Sequence, residues 1–521
     1  MAAGGYVVAL DVGSSSVRAI LHDSRARPIP GAEVHIPHAP RVRPDGTAEV
    51  DAGVLVAHVS RAISEVLTRA GPARAKRIVA VGLSTFWHGL VVADEAGHAL
   101  TPVYLWSDSR SATATAKLRQ HLDAEQIRLR TGCPIHPSYW PSKLAWLRAV
   151  QPGLWKRPVR WLSFGDLLYW RLFGRLGTSL SMASATGLFR LDDCEWDAEL
   201  LAELRISPRS LPPIGRMEQG LASIYARKWP ALAGVPWLHA VGDGALANLG
   251  SGCITPNRRA LTIGTSGALR LMHRAPRGKL PAGLWCYRLD ADRLVTGGAL
   301  SNGGNLHAWL LETLRLDGGT LEATLRRMAP AAHGLTFLPH LAGERSLGYA
   351  PHAFGAISGL TSATRPEDIA RAGLEAVAIE CARINRRLDE VAPGTSRLVA
   401  SGAAILSSPA WMQMMADAIG RRVVAGKPRE ASSRGAAVFA LESLGLAKAE
   451  HLDPGEGRKF TPNPAATKAY KKAEQRQEAL YKALIGKTES RPVTRLRPDG
   501  PAGSAPGAGG TPPRGARPGT T

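Results

Sequence analysis

The chain has 521 residues, 45% of them hydrophobic, and a formal net charge of +22 at pH 7. This length is too great for one hydrophobic core and predicts two or three domains. The sequence has no run of 18 apolar residues and no basic, apolar leader, which predicts a cytoplasmic protein without membrane spans. Its five scattered cysteines lack a Cys-x-x-Cys pair and indicate reduced thiols rather than disulfides or zinc.

The first informative stretch is a predicted hairpin near the N-terminus. A run of β-favouring residues reaches Gly13, Ser14, Ser15 and Ser16, and a second such run follows. The N–H groups and hydroxyls of so short a turn point outward, where they can bind phosphate oxygens. Asp11 would repel phosphate unless a cation lies between them, and Mg²⁺ is the natural cation. The alternative is an ordinary structural turn, because Gly and Ser are common in turns.

The next stretch alternates predicted helices and strands. Apolar residues recur at helical spacing over residues 54–67 behind Asp51, a candidate N-cap, and residues 77–85 form a buried strand. This alternation predicts an α/β domain with a mainly parallel sheet. The strand leads into a loop with Trp87 and His88, at the edge where such sheets bind ligands.

A Trp-x-Asp-x-Arg motif follows a second predicted strand pair. Residues 90–94 and 98–105 form that pair, and the motif contains Asp108 and Arg110. These two side chains could shape a ligand pocket or form only a surface ion pair. The Trp- and Pro-rich residues 132–147 are typical of a cap over a cleft.

Asp243 and Gly244 follow another predicted strand, residues 237–241. A carboxylate at the end of a strand is a candidate general base. A ligand hydroxyl that is to act as a nucleophile needs such a group to take its proton. The position is also typical of a helix N-cap, and both interpretations stay open on spacing alone.

A second hairpin repeats the pattern of the first about 250 residues later. Residues 259–273 form strand, turn and strand around Gly264, Thr265 and Ser266, without an acidic residue before the glycine. Two such hairpins suggest duplicated halves that close on one polyphosphate. A later predicted strand, residues 397–401, ends in Gly402 and Ala403, where a flat ligand could approach the backbone. Further helices are predicted at 366–391, 409–420 and 434–444.

The C-terminal part is basic and then rich in Pro and Gly. Residues 458–487 concentrate lysines on a helix that also carries glutamates, which favours a solvated helix face over a nucleic-acid surface. Residues 487–521 contain almost no large apolar side chain and are predicted to be disordered.

Together these motifs resemble the FGGY carbohydrate kinases, from about residue 5 to residue 485. The resemblance implies an α/β fold with two RNase-H-like domains of the actin-like ATPase superfold, at 5–252 and 258–486, flanking a nucleotide and sugar cleft. Several stretches are most similar to the gluconokinase branch: 84–88, 132–137, 184–188, 243–250 and 338–345.

The resemblance also implies roles for the candidate residues. Asp243 would be the catalytic base, and Asp11 would hold Mg²⁺. ATP would contact both hairpins and the later turn, through Gly13, Ser14, Ser15, Ser16, Gly264, Thr265, Ser266, Gly402 and Ala403. Ala403 stands where the family usually has a second glycine, so we expect weaker nucleotide binding. The substrate would contact Trp87, His88, Asp108, Arg110, Asp243 and Gly244.

The resulting hypothesis is ATP-dependent phosphorylation of a sugar or sugar acid, most specifically D-gluconate to 6-phospho-D-gluconate. Its carboxylate would bind a cationic or N–H-rich contact, for which His88, Arg110 and Lys143 are candidates. The alternatives are a kinase for another polyol or ketose, such as xylulose or glycerol, and a non-catalytic actin-like nucleotide switch.

Overall fold

The computed structural model describes residues 5–215, 220–275, 278–394 and 397–486. The tail predicted to be disordered, residues 487–521, lies outside these ranges. The strands are β1 Tyr6–Val12, β2 Ser16–His22, β3 Pro28–Pro37, β4 Arg41–Val42, β5 Ala48–Val50, β6 Ile78–Thr85, β7 Val91–Ala93, β8 Val103–Tyr104, β9 Arg160–Leu162, β10 Phe189–Arg190, β11 Glu195–Trp196, β12 Val241–Gly242, β13 Arg258–Ile263, β14 Gly267–Arg274, β15 Trp285–Arg288, β16 Arg293–Leu300, β17 Thr336–Leu338, β18 Ala356–Ser358, β19 Arg397–Ser401, β20 Val423–Gly426 and β21 Glu456–Phe460.

Helices cover the sheets and form much of the segment between them. The α-helices are α1 Ala52–Ala70, α2 Pro72–Ala75, α3 Ala112–His121, α4 Ala124–Thr131, α5 Trp140–Val150, α6 Phe164–Phe173, α7 Leu180–Ser184, α8 Ala198–Leu204, α9 Ser223–Lys228, α10 Asp243–Gly250, α11 Gly304–Thr313, α12 Gly318–Arg327, α13 Pro366–Val391, α14 Ala403–Leu406, α15 Pro409–Ile419, α16 Ala431–Ser443 and α17 Pro464–Leu484. Short 3₁₀ helices lie at Pro152–Lys156, Pro208–Ser210, Pro230–Leu232 and Ala449–His451. Among the described residues, no helix combines the length and the apolar character needed to cross a bilayer.

The two large sheets repeat one strand order. The first runs β3-β2-β1-β6-β12, and the central five strands of the second run β16-β14-β13-β19-β20. In each sheet the first three of these strands pair antiparallel, and the last two join the central strand in parallel. This repeat is the duplication that the two hairpins predicted, and it gives two RNase-H-like halves.

The prediction of a mainly parallel sheet was wrong, because the sheets are mixed. β1, β2 and β3 are joined by short turns, and strands joined in this way must run antiparallel. β6 and β12 each follow a long connection, which permits the parallel pairing.

Most local predictions are confirmed within a few residues. Asp51 caps α1 by accepting a hydrogen bond from the Val54 N–H at 2.8 Å. α13 spans the predicted residues, and α16 begins three residues before its predicted start. The strand predicted at 237–241 is shorter, because β12 covers only Val241–Gly242, and Trp237 forms an isolated bridge to Val81.

Helix α16 crosses from the second half of the chain to the first sheet. Its apolar side chains belong to the same core as β1, β6 and α1, and it also packs on α10. The contact is close: a Cβ built at Gly82 of β6 or at Gly435 of α16 would overlap the facing backbone. The predicted domain boundary at residues 252–258 stays a prediction, and α16 is a part of the second half that completes the first core.

Helix α17 covers one edge of the second half. Its buried side chains, Ala466, Tyr470, Ala473 and Gln477, face the second core, whereas its basic side chains are exposed. This is the arrangement expected for a solvated helix face.

Candidate active site

The first hairpin turns at Ser14 and Ser15, between β1 and β2. The Gly13 N–H donates to the Ser16 carbonyl at 2.9 Å and closes the turn, while the Ser15 carbonyl accepts from the His38 N–H. Ser16 begins β2 with its side chain buried, whereas Ser15 is exposed. The turn therefore presents Ser14 and Ser15 outward, as a phosphate-binding turn requires.

The second hairpin is held in place by the N-terminus of α11. The Gly264 N–H donates to the Ser266 carbonyl at 3.0 Å. The carbonyls of Gly264 and Thr265 accept from the N–H groups of Gly304 and Asn305, at 2.8 and 3.0 Å. Thr265 at the tip is exposed. The hairpin is thus a fixed loop with an open tip.

The turn predicted to contact adenosine abuts this hairpin. Gly402 has a φ of +97°, and a Cβ added there would overlap the Ile263 carbonyl. Only glycine avoids both the strained backbone and this overlap. Ala403 begins α14 with its side chain exposed. The turn and the hairpin therefore form one continuous surface of small residues.

Asp243 is the first residue of α10, and it is not the N-cap. Gly242 occupies the cap position, and the Asp243 carboxylate accepts from the Gly244 N–H at 2.6 Å. Burial, with the charge of Asp11 as a second cause, raises the pKa of Asp243 to about 6, and the charge of Arg270 opposes this shift. A carboxylate of this pKa is well placed to take a proton near neutral pH.

Asp243 lies where the two halves meet. Asp11 lies in β1, across from Arg18 in β2 and Ser84 in β6, and burial raises its pKa. Arg270, which also influences Asp243, belongs to β14 of the second sheet. The charge of Asp11 raises the pKa of Asp243, so the two carboxylates lie close together, and a divalent cation would relieve their repulsion. Asp11 is a hard oxygen donor of the kind that Mg²⁺ prefers.

Trp87 packs beneath the N-terminus of α10. A Cβ built at Gly242 or at Gly244 would overlap its indole ring, and its Nε1–H donates to the Ser181 carbonyl at 3.2 Å. The ring also meets Tyr287 edge to face, with centroids 4.9 Å apart. Gly242 and Gly244 are thus needed for close approach, and Trp87 fixes the direction in which Asp243 points.

His88 is a neutral imidazole in the wall of the cleft. Its Nδ1–H donates to the Ala185 carbonyl at 2.7 Å, since a carbonyl can only accept. Burial, together with the positive charge of Arg345, lowers the pKa of His88 well below its ordinary value. The Nε2 atom is therefore an acceptor, which can receive a hydrogen bond from a substrate hydroxyl.

Asp108 and Arg110 form a largely buried ion pair, so the alternative of a surface pair was wrong. The Arg110 Nη2 lies 2.6 Å from Asp108 Oδ2 and 2.7 Å from Glu49 Oε2. The guanidinium also lies over the Trp146 ring, 4.8 Å from its centroid. Asp108 accepts in addition from the Ala48 N–H at 3.0 Å. The pair thus ties the Trp-x-Asp-x-Arg loop to β5, and two carboxylates already offset the Arg110 charge.

Comparison with known proteins identifies the family. Residues 6–250 match the N-terminal domain of the FGGY family of carbohydrate kinases, and residues 260–444 match its C-terminal domain. The chain belongs to this family. As an FGGY kinase it has the two-domain actin-like ATPase fold, and its chemistry is the phosphorylation of a carbohydrate by ATP.

Relatives of this FGGY kinase carry several substrate names. A gluconokinase of Bacillus subtilis is 28% identical over 487 residues, which is 89% of this chain and 93% of the relative. A glycerol kinase of Trichlorobacter lovleyi is 31% identical over 84% of this chain and 90% of its own. Solved structures of a gluconate kinase and a xylulose kinase, both from Lactobacillus acidophilus, have TM-scores of 0.85 and 0.86. Each is 25% identical and covers 93% of this chain and 99% of its own.

Lys143 of the FGGY kinase is buried beside the cleft. Its Nζ donates to the carbonyls of Pro137 and Ser138, at 2.8 and 2.6 Å. Burial lowers the pKa of Lys143 to about 7; Asp108 opposes this shift and Arg345 adds to it. Two of its three donors are used by the backbone, so Lys143 shapes the cap and contributes at most one donor to a ligand.

Arg345 is a site residue that the sequence reasoning did not assign. The positive charge of Arg345 lowers the pKa of His88, Lys143 and Asp243, so Arg345 lies within the same cleft as these residues. It belongs to the stretch 338–345 that carried the gluconokinase resemblance. No local pattern separates a substrate-binding arginine from a surface arginine in such a loop, and only the motif match could have indicated it.

Proposed function

We propose that this kinase transfers the γ-phosphoryl group of ATP to D-gluconate and forms 6-phospho-D-gluconate. Gluconokinases among the relatives support this acceptor, although glycerol and xylulose kinases also match. The observation that carries the proposal is the charge of the acceptor side. The positive charge of the buried Arg345 lowers the pKa of both Lys143 and His88, so these three basic side chains lie close together on the acceptor side.

Asp243 is the group that takes the proton from the acceptor hydroxyl. With a pKa of about 6 it is mostly ionised at neutral pH, yet it is a stronger base than an ordinary aspartate. Trp87 and the first turn of α10 hold it in place. His88 Nε2 accepts a hydrogen bond from a further hydroxyl, which orients the polyol chain.

The phosphates of ATP are bound by the two hairpin turns. Ser14 and Ser15 lie at the tip of one, and Gly264 and Thr265 at the tip of the other. Asp11 would hold Mg²⁺, which when bound neutralises phosphate charge. The turn at Gly402 is the proposed adenosine contact. These assignments, and the cytoplasmic location inferred from the sequence, stay predictions.

The test is a comparison of acceptors under identical conditions with ATP and Mg²⁺. We expect kcat/KM for gluconate to exceed that for sorbitol by roughly 10- to 100-fold, because a site built for a carboxylate is left unpaired by the neutral analogue. Xylulose and glycerol serve as the competing acceptors. A preference for any uncharged acceptor would overturn the gluconate assignment and leave the carbohydrate kinase standing. ATP hydrolysis that no acceptor stimulates would instead favour a nucleotide switch.

A further inference from the structure

We infer that Arg345 binds the carboxylate of the acceptor and thereby makes this kinase selective for a sugar acid. The inference rests on the proposed function, because it names the residue that would read the charged end of gluconate. It is drawn from the surroundings of the Arg345 guanidinium, which differ from those of the other buried arginines.

The Arg345 guanidinium is buried without a partner. The residue is 9% exposed, and its Nε has no hydrogen-bond acceptor. Across the described ranges, no hydrogen bond or ion pair is found for its side chain, and its guanidinium carbon lies over the Trp106 ring, 5.1 Å from the centroid. Its charge lowers the pKa of Asp243, but the two side chains do not form a direct ion pair. A buried cation without a directly paired anion is unfavourable, so a site of this kind is completed by a ligand that supplies one.

Among the described residues, the other strongly buried arginines each have an anion or a carbonyl oxygen as a partner of the terminal guanidinium nitrogens, although the Nε of Arg259 also lacks one. Arg259 pairs with Asp389 and donates to Asn385, and Arg371 pairs with Glu375 at 2.6 Å. Arg434 donates to two backbone carbonyls. Burial of an arginine in this protein is therefore accompanied by acceptors, and Arg345 is the exception at the cleft.

The acidic side chain that precedes Arg345 in the sequence is committed elsewhere. Glu344, the preceding residue, accepts from the Tyr481 hydroxyl at 2.5 Å and from the Gly348 N–H at 2.9 Å. Tyr481 belongs to α17, so the C-terminal helix holds this carboxylate away from its neighbour. The Ser346 N–H also donates to the Ala299 carbonyl at 2.9 Å. The loop is thus fixed on both sides of Arg345, and its positive charge is preserved.

The surroundings also favour an anion. His88, His136 and Lys143 all have lowered pKa values, in each case through burial first and the charge of Arg345 as a further cause. Neighbours that resist protonation leave Arg345 as the main fixed positive charge on the acceptor side. Because a guanidinium presents paired N–H groups, it can bind a carboxylate with two parallel hydrogen bonds.

Arg345 and Asp243 would then define the two ends of the acceptor. Asp243 receives the hydroxyl that is phosphorylated, and Arg345 receives the carboxylate. A linear polyol with one acidic end satisfies both, whereas a neutral polyol leaves the guanidinium unpaired.

The test compares Arg345→Met and Arg345→Lys with the wild type, using gluconate and sorbitol as acceptors. We expect Arg345→Met to lower kcat/KM for gluconate by about 10- to 100-fold, mainly through KM, and to lower kcat/KM for sorbitol clearly less. Arg345→Lys should be intermediate, because an ammonium keeps the charge and loses the paired geometry. Arg458→Met is the matched control: Arg458 also lies over an aromatic ring, that of Phe460 at 4.9 Å, but it is exposed on β21.

Direct titration of gluconate separates this inference from the proposed function. If the wild type prefers gluconate, but Arg345→Met loses gluconate and sorbitol activity equally, the inference fails and the proposed function stands. If the wild type prefers an uncharged acceptor, the proposed function fails. In that case the selectivity part of the inference fails as well, gluconate binding that weakens about tenfold or more in Arg345→Met supports only the carboxylate contact, and a smaller change or absent binding overturns the inference whole.

Discussion

Acidification should reduce turnover through protonation of Asp243. A general base acts only when it is deprotonated, so a folded-state pKa raised to about 6 means that activity is lost as the pH falls through 6. The ionised fraction is about 97% at pH 7.5, about half at pH 6 and about 9% at pH 5. We therefore expect kcat/KM for the acceptor to fall about tenfold between pH 7.5 and pH 5.

The assay is the initial rate of ADP formation from pH 5 to 9 at saturating ATP and Mg²⁺. Asp243→Asn should lose about 10²-fold or more in kcat and should show no acidic limb. Asp166→Asn is the matched control, because burial also raises the pKa of Asp166 to about 6, but this residue caps α6 outside the cleft. The reasoning is refuted if the limb persists in Asp243→Asn, or if Asp166→Asn moves it.

Two further changes test the supports of the site. Gly402→Ala should raise KM for ATP more than KM for gluconate, because the added methyl group would displace the second hairpin. Gly334→Ala is the control, since Gly334 also has a positive φ but has open space around it. This variant should leave both KM values near those of the wild type. Arg110→Met should lower the free energy of unfolding in urea by about 1 to 3 kcal/mol, because it removes the guanidinium that two largely buried carboxylates share and leaves Glu49 with Arg41 and Asp108 with a backbone N–H. The exposed pair of Arg61 and Glu65 provides the comparison. Arg61→Met should lower the free energy of unfolding by less than about 0.5 kcal/mol. Equal decreases in the two variants would contradict the role given to Arg110.

Local features of this kinase could be predicted from its sequence. Both hairpins, the cap at Asp51 and the long helix α13 follow from short patterns of apolar spacing and turn residues. The strand repeat was also accessible, because each half begins with the same hairpin. Asp243 was identified as a candidate, and only the structure showed that Gly242 takes the cap position.

Features that depend on distant residues were not accessible. Glu49 completes the pair of Asp108 and Arg110 from 61 residues away, and nothing in its own strand indicates this contact. Among the described residues, no hydrogen-bond or ion-pair partner is found for the Arg345 side chain. This feature depends on all the residues around the cleft and not on the local sequence. The crossing of α16 to the first sheet likewise follows from packing and not from its own periodicity.

That crossing has a consequence for how the protein is made. The first sheet lacks one of its covering helices until α16 leaves the ribosome, about 190 residues after β12. The apolar face on which α16 later packs includes β1 and β6, and it stays uncovered during this interval. The first half therefore cannot mature independently of the second. A chain interrupted between the halves would yield a first half with an exposed apolar surface on its sheet.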